Sequence, residues 1–337
     1  MKISALKKIA FFAGLIFSIA PALVAQEPWT KIPIPPLPAF HPQEPKRIVL
    51  PNGMIIFLQE DHELPTIDGV ARIRGGARSE PAAKVGLTGL YGEVWRTGGT
   101  KSQTGDQLDD YLEIRAAKVE TGANDDSTTI SLSCLKDDFN DVFKIFSELL
   151  RAPEFRADKL DLAKREAFDG ISRRNDEVRE IAVREAAKLA YGANNPYARD
   201  PEYATISAVT REDLVNWHQT HVHPNNIIIG IVGDFDSAQM EATLRQAFGD
   251  WQKGPAVKAP DIHFNPAPPG YYLVKKEDVD QSNIRMVGLG TTRDNPDYYA
   301  IEVFNEVLAG GFSSRLIQSI HRSGTRLRSG WRHRHPL

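Results

Sequence analysis

Along this chain, stretches in which apolar residues recur at every second position give way to stretches in which they recur every third or fourth, and the change of period marks out the elements. Arg47-Ile-Val-Leu-Pro-Asn-Gly-Met-Ile-Ile-Phe-Leu58 sets two apolar runs around an Asn52-Gly53 turn, which predicts a hairpin. A strand is predicted over 69–74, a helix over 86–96, and a second helix over 104–117 that opens on a Thr-x-x-Gln capping signal at Thr104. Residues 127–135 alternate Thr, Ser and Ile and predict a strand. Residues 137–150 predict an amphipathic helix with Phe139, Val142, Phe143, Ile145, Phe146, Leu149 and Leu150 as its buried stripe. The helical period then runs from 157 to 190, broken near Asn175-Asp176.

The second half repeats the plan. Asn226-Ile-Ile-Ile-Gly-Ile-Val-Gly233 predicts a buried strand, 237–248 a helix, 270–275 and 284–290 further strands, and 298–309 a helix. The run Val70 to Pro81 and the run Ile284 to Pro296 share one order: strand, charged turn with proline, helix. These patterns predict an α+β fold of two related domains, each an antiparallel-rich sheet packed by helices, the second incomplete. The expected bounds are 47–200 for the first domain and 201–320 for the second.

Composition adds the flanks. Residues 1–25 carry Lys2, Lys7 and Lys8, then an apolar run from Ile9 to Ile19 and a small-residue exit, the layout of a secretory signal peptide. That run is too short to predict a lasting membrane span, so the expectation is an exported protein, periplasmic or secreted. Residues 26–46 are proline-rich and predict an extended linker or strap. Cys134 is the one cysteine, which excludes an intrachain disulfide. A net charge of −3 gives no reason to expect nucleic acid.

Candidate chemistry centres on Gly86-Leu-Thr-Gly-Leu-Tyr-Gly-Glu-Val-Trp-Arg-Thr-Gly-Gly-Thr100, where helical offsets put Gly89, Gly92 and Glu93 on one face. Together with Leu50-Pro-Asn-Gly-Met, Arg74-Gly-Gly-Ala-Arg-Ser-Glu, Gly99-Thr-Lys, Asn195-Pro-Tyr-Ala, Thr210-Arg-Glu-Asp-Leu, Pro224-Asn-Asn, Val232-Gly-Asp-Phe and Gly310-Gly-Phe-Ser-Ser-Arg-Leu, this collinear series resembles the inverzincin peptidases: insulinase, pitrilysin and the mitochondrial processing peptidase. The resemblance covers residues 47–320 and implies the processing-peptidase fold.

In active members an H-x-x-E-H helix supplies two zinc ligands and a general base, and a glutamate on a later helix completes the site. The resemblance places the first ligand at Gly89, the base at Gly92, the second ligand at Glu93 and the third at Gly170. Glycine offers no donor atom, so no catalytic residue and no metal are expected in this chain. Glu166 and Asp169 lie near the third position, but the register that aims 170 at the site turns Asp169 aside. A glycine inside a helix costs roughly 1 kcal/mol relative to alanine, which suggests a use for the stripe Gly86, Gly89 and Gly92: close packing of a partner's backbone or of a peptide strand.

Other features carry blander expectations. His218, His221 and His223 could surround a metal only if the chain turned back, and are expected instead to meet carbonyls at the end of a helix. His41, His62 and His263 are read as isolated surface or packing residues, Asp125-Asp126 and 177–185 as solvated charge, and Cys134 as inert. No P-loop, dinucleotide fingerprint or nucleophile elbow is present. From His321 to Leu337 five arginines appear without strand or helix period, and the tail reads as out of register with the domain it ends, as a frameshifted or truncated reading frame would be.

The expectation for function is a non-catalytic subunit of an exported heterodimeric zinc endopeptidase, binding extended peptide in a chamber shared with a catalytic H-x-x-E-H chain that carries the zinc. The competing expectations are an autonomous peptide-binding or scaffolding protein and an enzyme using zinc at another site.

Overall fold

The computed structural model describes Ala39 and residues 42–322, and the expectations for the signal peptide, most of the linker and the tail after 322 lie outside the described residues. Six strands form one sheet in the order β1-β2-β6-β3-β5-β4. They are β1 (Lys46–Val49), β2 (Ile55–Glu60), β3 (Thr66–Arg74), β4 (Lys118–Ala123), β5 (Ser127–Leu135) and β6 (Ile227–Gly233). The predicted Asn52-Gly53 hairpin joins β1 to β2, with Gly53 in the left-handed region at φ 90°, the conformation the turn demands. Asn52 fixes the turn from below, its side-chain amide donating to the carbonyls of Phe248 at 2.7 Å and Trp251 at 3.0 Å.

The centre of the sheet corrects one part of the sequence plan. Residues 227–233, assigned to a second domain, instead run parallel to β2 and antiparallel to β3 between them. An isoleucine-rich run suits any strand flanked on both sides, and only tertiary pairing decides which sheet takes it.

The helices of the described residues are α1 (Leu87–Thr97), α2 (Gly105–Glu113), α3 (Phe139–Arg151), α4 (Ala157–Arg173), α5 (Val178–Tyr191), α6 (Tyr203–Ser207), α7 (Arg211–His221), α8 (Ser237–Phe248), α9 (Tyr298–Ala309) and α10 (Arg315–Arg322). Of these, α1, α2, α3 and α8 pack directly on the strands. The seven stripe residues expected on α3 are all buried. Thr104 opens α2 with the predicted capping box: it accepts from the Gln107 N–H, while Gln107 takes the Thr104 N–H. Inward residues Ile56, Leu58, Ala71, Ile73, Ile130, Leu132, Ile229 and Ile231 meet the helices in one apolar core. Cys134 is part of it, and burial pushes its thiol up to about 12, as an inert thiol requires.

The expected strands at 270–275 and 284–290 do not form. Neither stretch takes a regular conformation or a ladder partner, and Tyr271, Leu273, Ile284 and Met286 stand open to solvent. A strand has no internal hydrogen bonds, so an apolar alternating segment without an edge to pair with stays irregular. Helix α9 forms where predicted. Among the described residues no helix is long and apolar enough to cross a membrane.

Candidate functional site

Helix α1 is held from three directions. At its start, Gly86 adopts a left-handed conformation at φ 99°, and the buried Glu80 carboxylate accepts the N–H of Gly86 at 2.9 Å and of Thr88 at 2.6 Å. The Thr88 hydroxyl donates to the same carboxylate at 2.5 Å. A negative group thus satisfies the helix's first donors where the helix dipole favours it. Along the inner face, Leu90, Tyr91, Val94 and Trp95 are buried, and the Trp95 indole N–H donates to the Leu149 carbonyl at 2.7 Å. Near its end, buried Arg96 donates from Nε to the Val119 carbonyl of β4 and pairs with Asp109, both at 2.7 Å.

The structure separates the three positions that the helical wheel put together. Gly89 and Glu93 face outward, whereas Gly92 is buried against the sheet edge. A Cβ on Gly92 would lie 2.9 Å from the Ala123 nitrogen and the Gly122 carbonyl carbon, and the Thr121 hydroxyl donates to the Gly92 carbonyl at 2.5 Å. Glycine here lets α1 close on β4. At Gly86 a Cβ would meet Ile206 at 2.5 Å, so two members of the supposed partner stripe are consumed inside the chain. At Gly89 and Gly170 an added Cβ would meet nothing within 4 Å. Those two positions leave open space on α1 and on α4, which pack against each other.

Glu93 keeps a functional side chain on this face, and its neighbour is Glu166 of α4. Although Glu93 faces outward, partial burial of its carboxyl, and then the Glu166 carboxyl beside it, hold it above the usual carboxylate range. Asp169 does not join them in any cluster: among the described residues no group of three or more His, Cys, Asp or Glu is placed to hold a metal ion. Zinc sites take imidazole, thiolate or carboxylate donors, three at least when catalytic. Gly89, Gly92 and Gly170 supply none, so the residues present do not fit the ion.

The histidine-rich end of α7 goes to packing. His218 shares a 2.8 Å hydrogen bond with the Tyr91 hydroxyl, and burial pushes its imidazole down to about 3. His221 stacks on Trp217 with ring centroids 3.8 Å apart and gives its Nδ1 proton to the Trp217 carbonyl. That contact is the helix-end carbonyl interaction expected of it. His263 is exposed near Asp261. His62 is not isolated: Nδ1 meets Asp234 at 2.6 Å and Nε2 lies 3.5 Å from Glu60. His41 lies outside the described residues.

Sequence reasoning missed β4, whose signal was a short Lys118-Val-Glu-Thr121 alternation ahead of Gly122, and it gave Glu80 no role although the charge stands just before a helix start. It also missed the Tyr91–His218 bond, which no spacing rule encodes.

Comparison with known proteins decides the family. The insulinase (peptidase family M16) model matches residues 59–200, and the model of the peptidase M16 inactive domain matches 208–325. The chain belongs to the M16 family. It is a homologue without the family's H-x-x-E-H motif. A "non-peptidase homolog YmxG" of Helicobacter pylori is 23% identical over 268 residues, 79% of this chain and 61% of that protein. The crystal structure of a peptidase M16 inactive domain from Pseudomonas fluorescens superposes with a TM-score of 0.69 at 23% identity, over 83% of this chain and 68% of that one. The periplasmic protease PqqL of Escherichia coli matches with a TM-score of 0.58 at 21% identity, over 68% of this chain and 26% of PqqL. These likenesses establish the mixed α+β fold. The chain spans about three fifths of the length of the first curated relative it matches.

Proposed function

We propose that this chain is the non-catalytic subunit of an exported heterodimeric zinc endopeptidase, in which a partner chain retaining H-x-x-E-H holds the metal and this chain shapes the chamber and binds extended peptide. One observation carries the reading: the scaffold of the zinc helix is retained while its donors are gone. Glu80 still caps α1, Trp95 and Tyr91 still seat it, and Arg96 still ties it to β4. A helix kept in place at this cost in buried charge, with open space at Gly89 and Gly170, suits a surface for binding rather than for hydrolysis.

The sheet edge supports the peptide-binding part of the proposal. β4 ends the strand order, and its last residues, Gly122 and Ala123, lie beside Gly92 and are not fully buried. An edge strand offers backbone donors and acceptors to an extended peptide, which adds affinity without demanding a side-chain sequence. Val119 is the exception on that edge, since Arg96 already occupies its carbonyl. Export rests on the layout of residues 1–25, and the likeness to the periplasmic protease PqqL is in keeping with it.

The test is reconstitution. The purified chain is assayed on unstructured peptides alone, then mixed with an H-x-x-E-H homologue from the same source. Chelator-sensitive cleavage that appears or rises at least tenfold only in the mixture is the expected result. Stoichiometric zinc and proteolysis in the isolated chain would overturn the proposal, and a mixture no more active than the partner alone would favour a scaffolding protein.

A further inference from the structure

A cleft of ≈ 480 Å³ is lined by the end of α4, one face of α5 and the irregular stretch from Val274 to Lys276. Its walls carry Arg174, Arg184, Lys188, Lys275 and Lys276 against a single carboxylate, Glu185. Arg184, Glu185 and Lys188 follow Ile181 at helical offsets of three, four and seven, so the α5 wall is one face of that helix. Ile181 and Val274 are the apolar part of the lining. A chain whose net charge is −3 thus gathers five cations around one cleft of a size that ligands occupy.

Most carboxylates that balance these cations do not line the cleft. Glu202 pairs with Arg174 and Asp200 with Lys188, both at 2.9 Å, while Glu277 pairs with Lys275 and Asp278 with Lys276, both at 3.0 Å. The pairs differ in firmness. Arg184 donates to the Arg174 carbonyl at 3.1 Å and to Asn175 Oδ1 at 2.6 Å, and Asp200 is mostly buried beside Lys188, so the α5 wall is fixed. Lys275 and Lys276 instead reach two residues along an irregular stretch to carboxylates that are 81% and 75% exposed. Such pairs contribute little, and an ammonium has three N–H donors, so both lysines can turn to an incoming carboxylate at small cost.

The lining selects an extended ligand over a compact anion. Phosphate and sulfate are held where N–H groups converge at a helix start or where a guanidinium fork is open. Here α5 contributes positions from its second half, and the Arg184 fork is already engaged. What remains is a spread of cations beside Ile181 and Val274, next to a stretch of backbone at 274–276 that takes no ladder partner. We propose that this cleft binds an acidic peptide segment, whose carboxylates meet Arg174, Lys188, Lys275 and Lys276 while an apolar side chain between them lies on Ile181 and Val274. The site uses neither α1 nor the β4 edge and needs no partner subunit, so it and the peptide-chamber reading fail separately.

Fluorescence anisotropy on the full 337-residue chain tests it. The probe is a labelled Asp-Glu-Leu-Asp-Glu peptide, with the amide peptide Asn-Gln-Leu-Asn-Gln as its uncharged counterpart. The acidic peptide should bind saturably, roughly tenfold or more tighter than the amide peptide, and should weaken as salt rises. The double variant Lys275→Glu and Lys276→Glu should lose roughly tenfold or more in affinity with an unchanged circular dichroism spectrum, since both residues sit outside helix and strand. A second double variant, Lys101→Glu and Lys253→Glu, changes net charge equally at exposed lysines that do not line the cleft, and should bind as the wild type does. Equal binding of the two peptides, or none, overturns the proposal. So do equal losses in the two double variants, which would reduce the effect to net charge, and wild-type affinity in the first. Displacement of the peptide by inorganic phosphate at matched concentration would make this a compact-anion site and overturns it as well.

Discussion

The two copies of the strand–turn–helix plan share a sequence order and end differently. In the first, β3 lies in the middle of a sheet and α1 is buried on it; in the second, 284–290 is unpaired and α9 presents Tyr299, Val303 and Val307 to solvent. Both helices nevertheless form where the sequence put them. A helix closes its hydrogen bonds within four residues, whereas a strand's bonds belong to another segment, so the same local signal specifies one element completely and the other only conditionally. The comparison also separates burial from pattern: Trp95 and Phe304 are both aromatic residues of an apolar helix, but one is fully buried and the other 60% exposed.

The largest effect follows from that pair. Trp95→Ala removes a side chain packed 5.1 Å from the Tyr91 ring and orphans the Leu149 carbonyl, which should cost about 3–5 kcal/mol. Phe304→Ala should change stability by no more than about 0.5 kcal/mol. Urea denaturation of the two variants checks this, and similar losses for both would mean that α9 is covered in solution.

Acid sharpens the comparison, because the deeply buried titratable contact belongs to the first copy. His218 lies against Tyr91, and burial takes its imidazole from 6.5 to about 3. Below pH 6.5 the unfolded chain takes up a proton that the native chain refuses, so stability falls as the pH falls toward 3. The loss across that window is on the order of 5 kcal/mol at most. His218→Gln should flatten the slope while keeping an acceptor for the Tyr91 hydroxyl. A wild-type stability that is level from neutral pH down to the carboxylate range would contradict this account.

Glycine gives the third contrast, and it shows where sequence reading stops. Helix starts, the α3 stripe, the Thr104 capping box and the Asn52-Gly53 turn were legible because each is set by residues within a few positions of one another, whereas the helix expected to run to 117 stops at Glu113. The role of Gly92 was not, since it depends on β4 arriving 30 residues later at contact distance; on the helical wheel Gly92 simply shared a face with Gly89. The loss of zinc donors could be read once the family pattern was laid on the chain, but that Glu93 would sit beside Glu166 required the packing of α1 on α4. Gly92→Ala should cost about 1–3 kcal/mol by pushing α1 off the β4 backbone. Gly288→Ala in the uncovered copy, where a Cβ would meet nothing within 4 Å, should stay within about 0.5 kcal/mol. Gly89→Ala, on an open helix surface, should stabilise by about 0.5–1 kcal/mol. A destabilising Gly89→Ala would mean that something occupies the space beside it.

The smallest effect asks whether exposure, rather than membership of the covered half, decides how much a charge contributes. His62 belongs to the well-packed half yet sits on its surface, and the Asp234 carboxylate beside it raises its imidazole above the ordinary 6.5, with Glu60 adding to the shift. Its sign is opposite to that of His218. The native chain holds this proton more tightly than the unfolded one, so the contribution is fully present below pH 6.5 and is lost as the pH rises through the raised native value. Solvent and salt screen an ion pair in this position, which keeps its worth small even at a 2.6 Å separation. His62→Gln should therefore remove a shallow decline in stability on the alkaline side of neutrality and leave the acid limb set by His218 unchanged. Proton NMR of the His62 ring gives the native value directly. An imidazole that titrates at or below 6.5 would mean the Asp234 contact does not persist in solution, and the alkaline decline should then be absent from the wild-type chain as well.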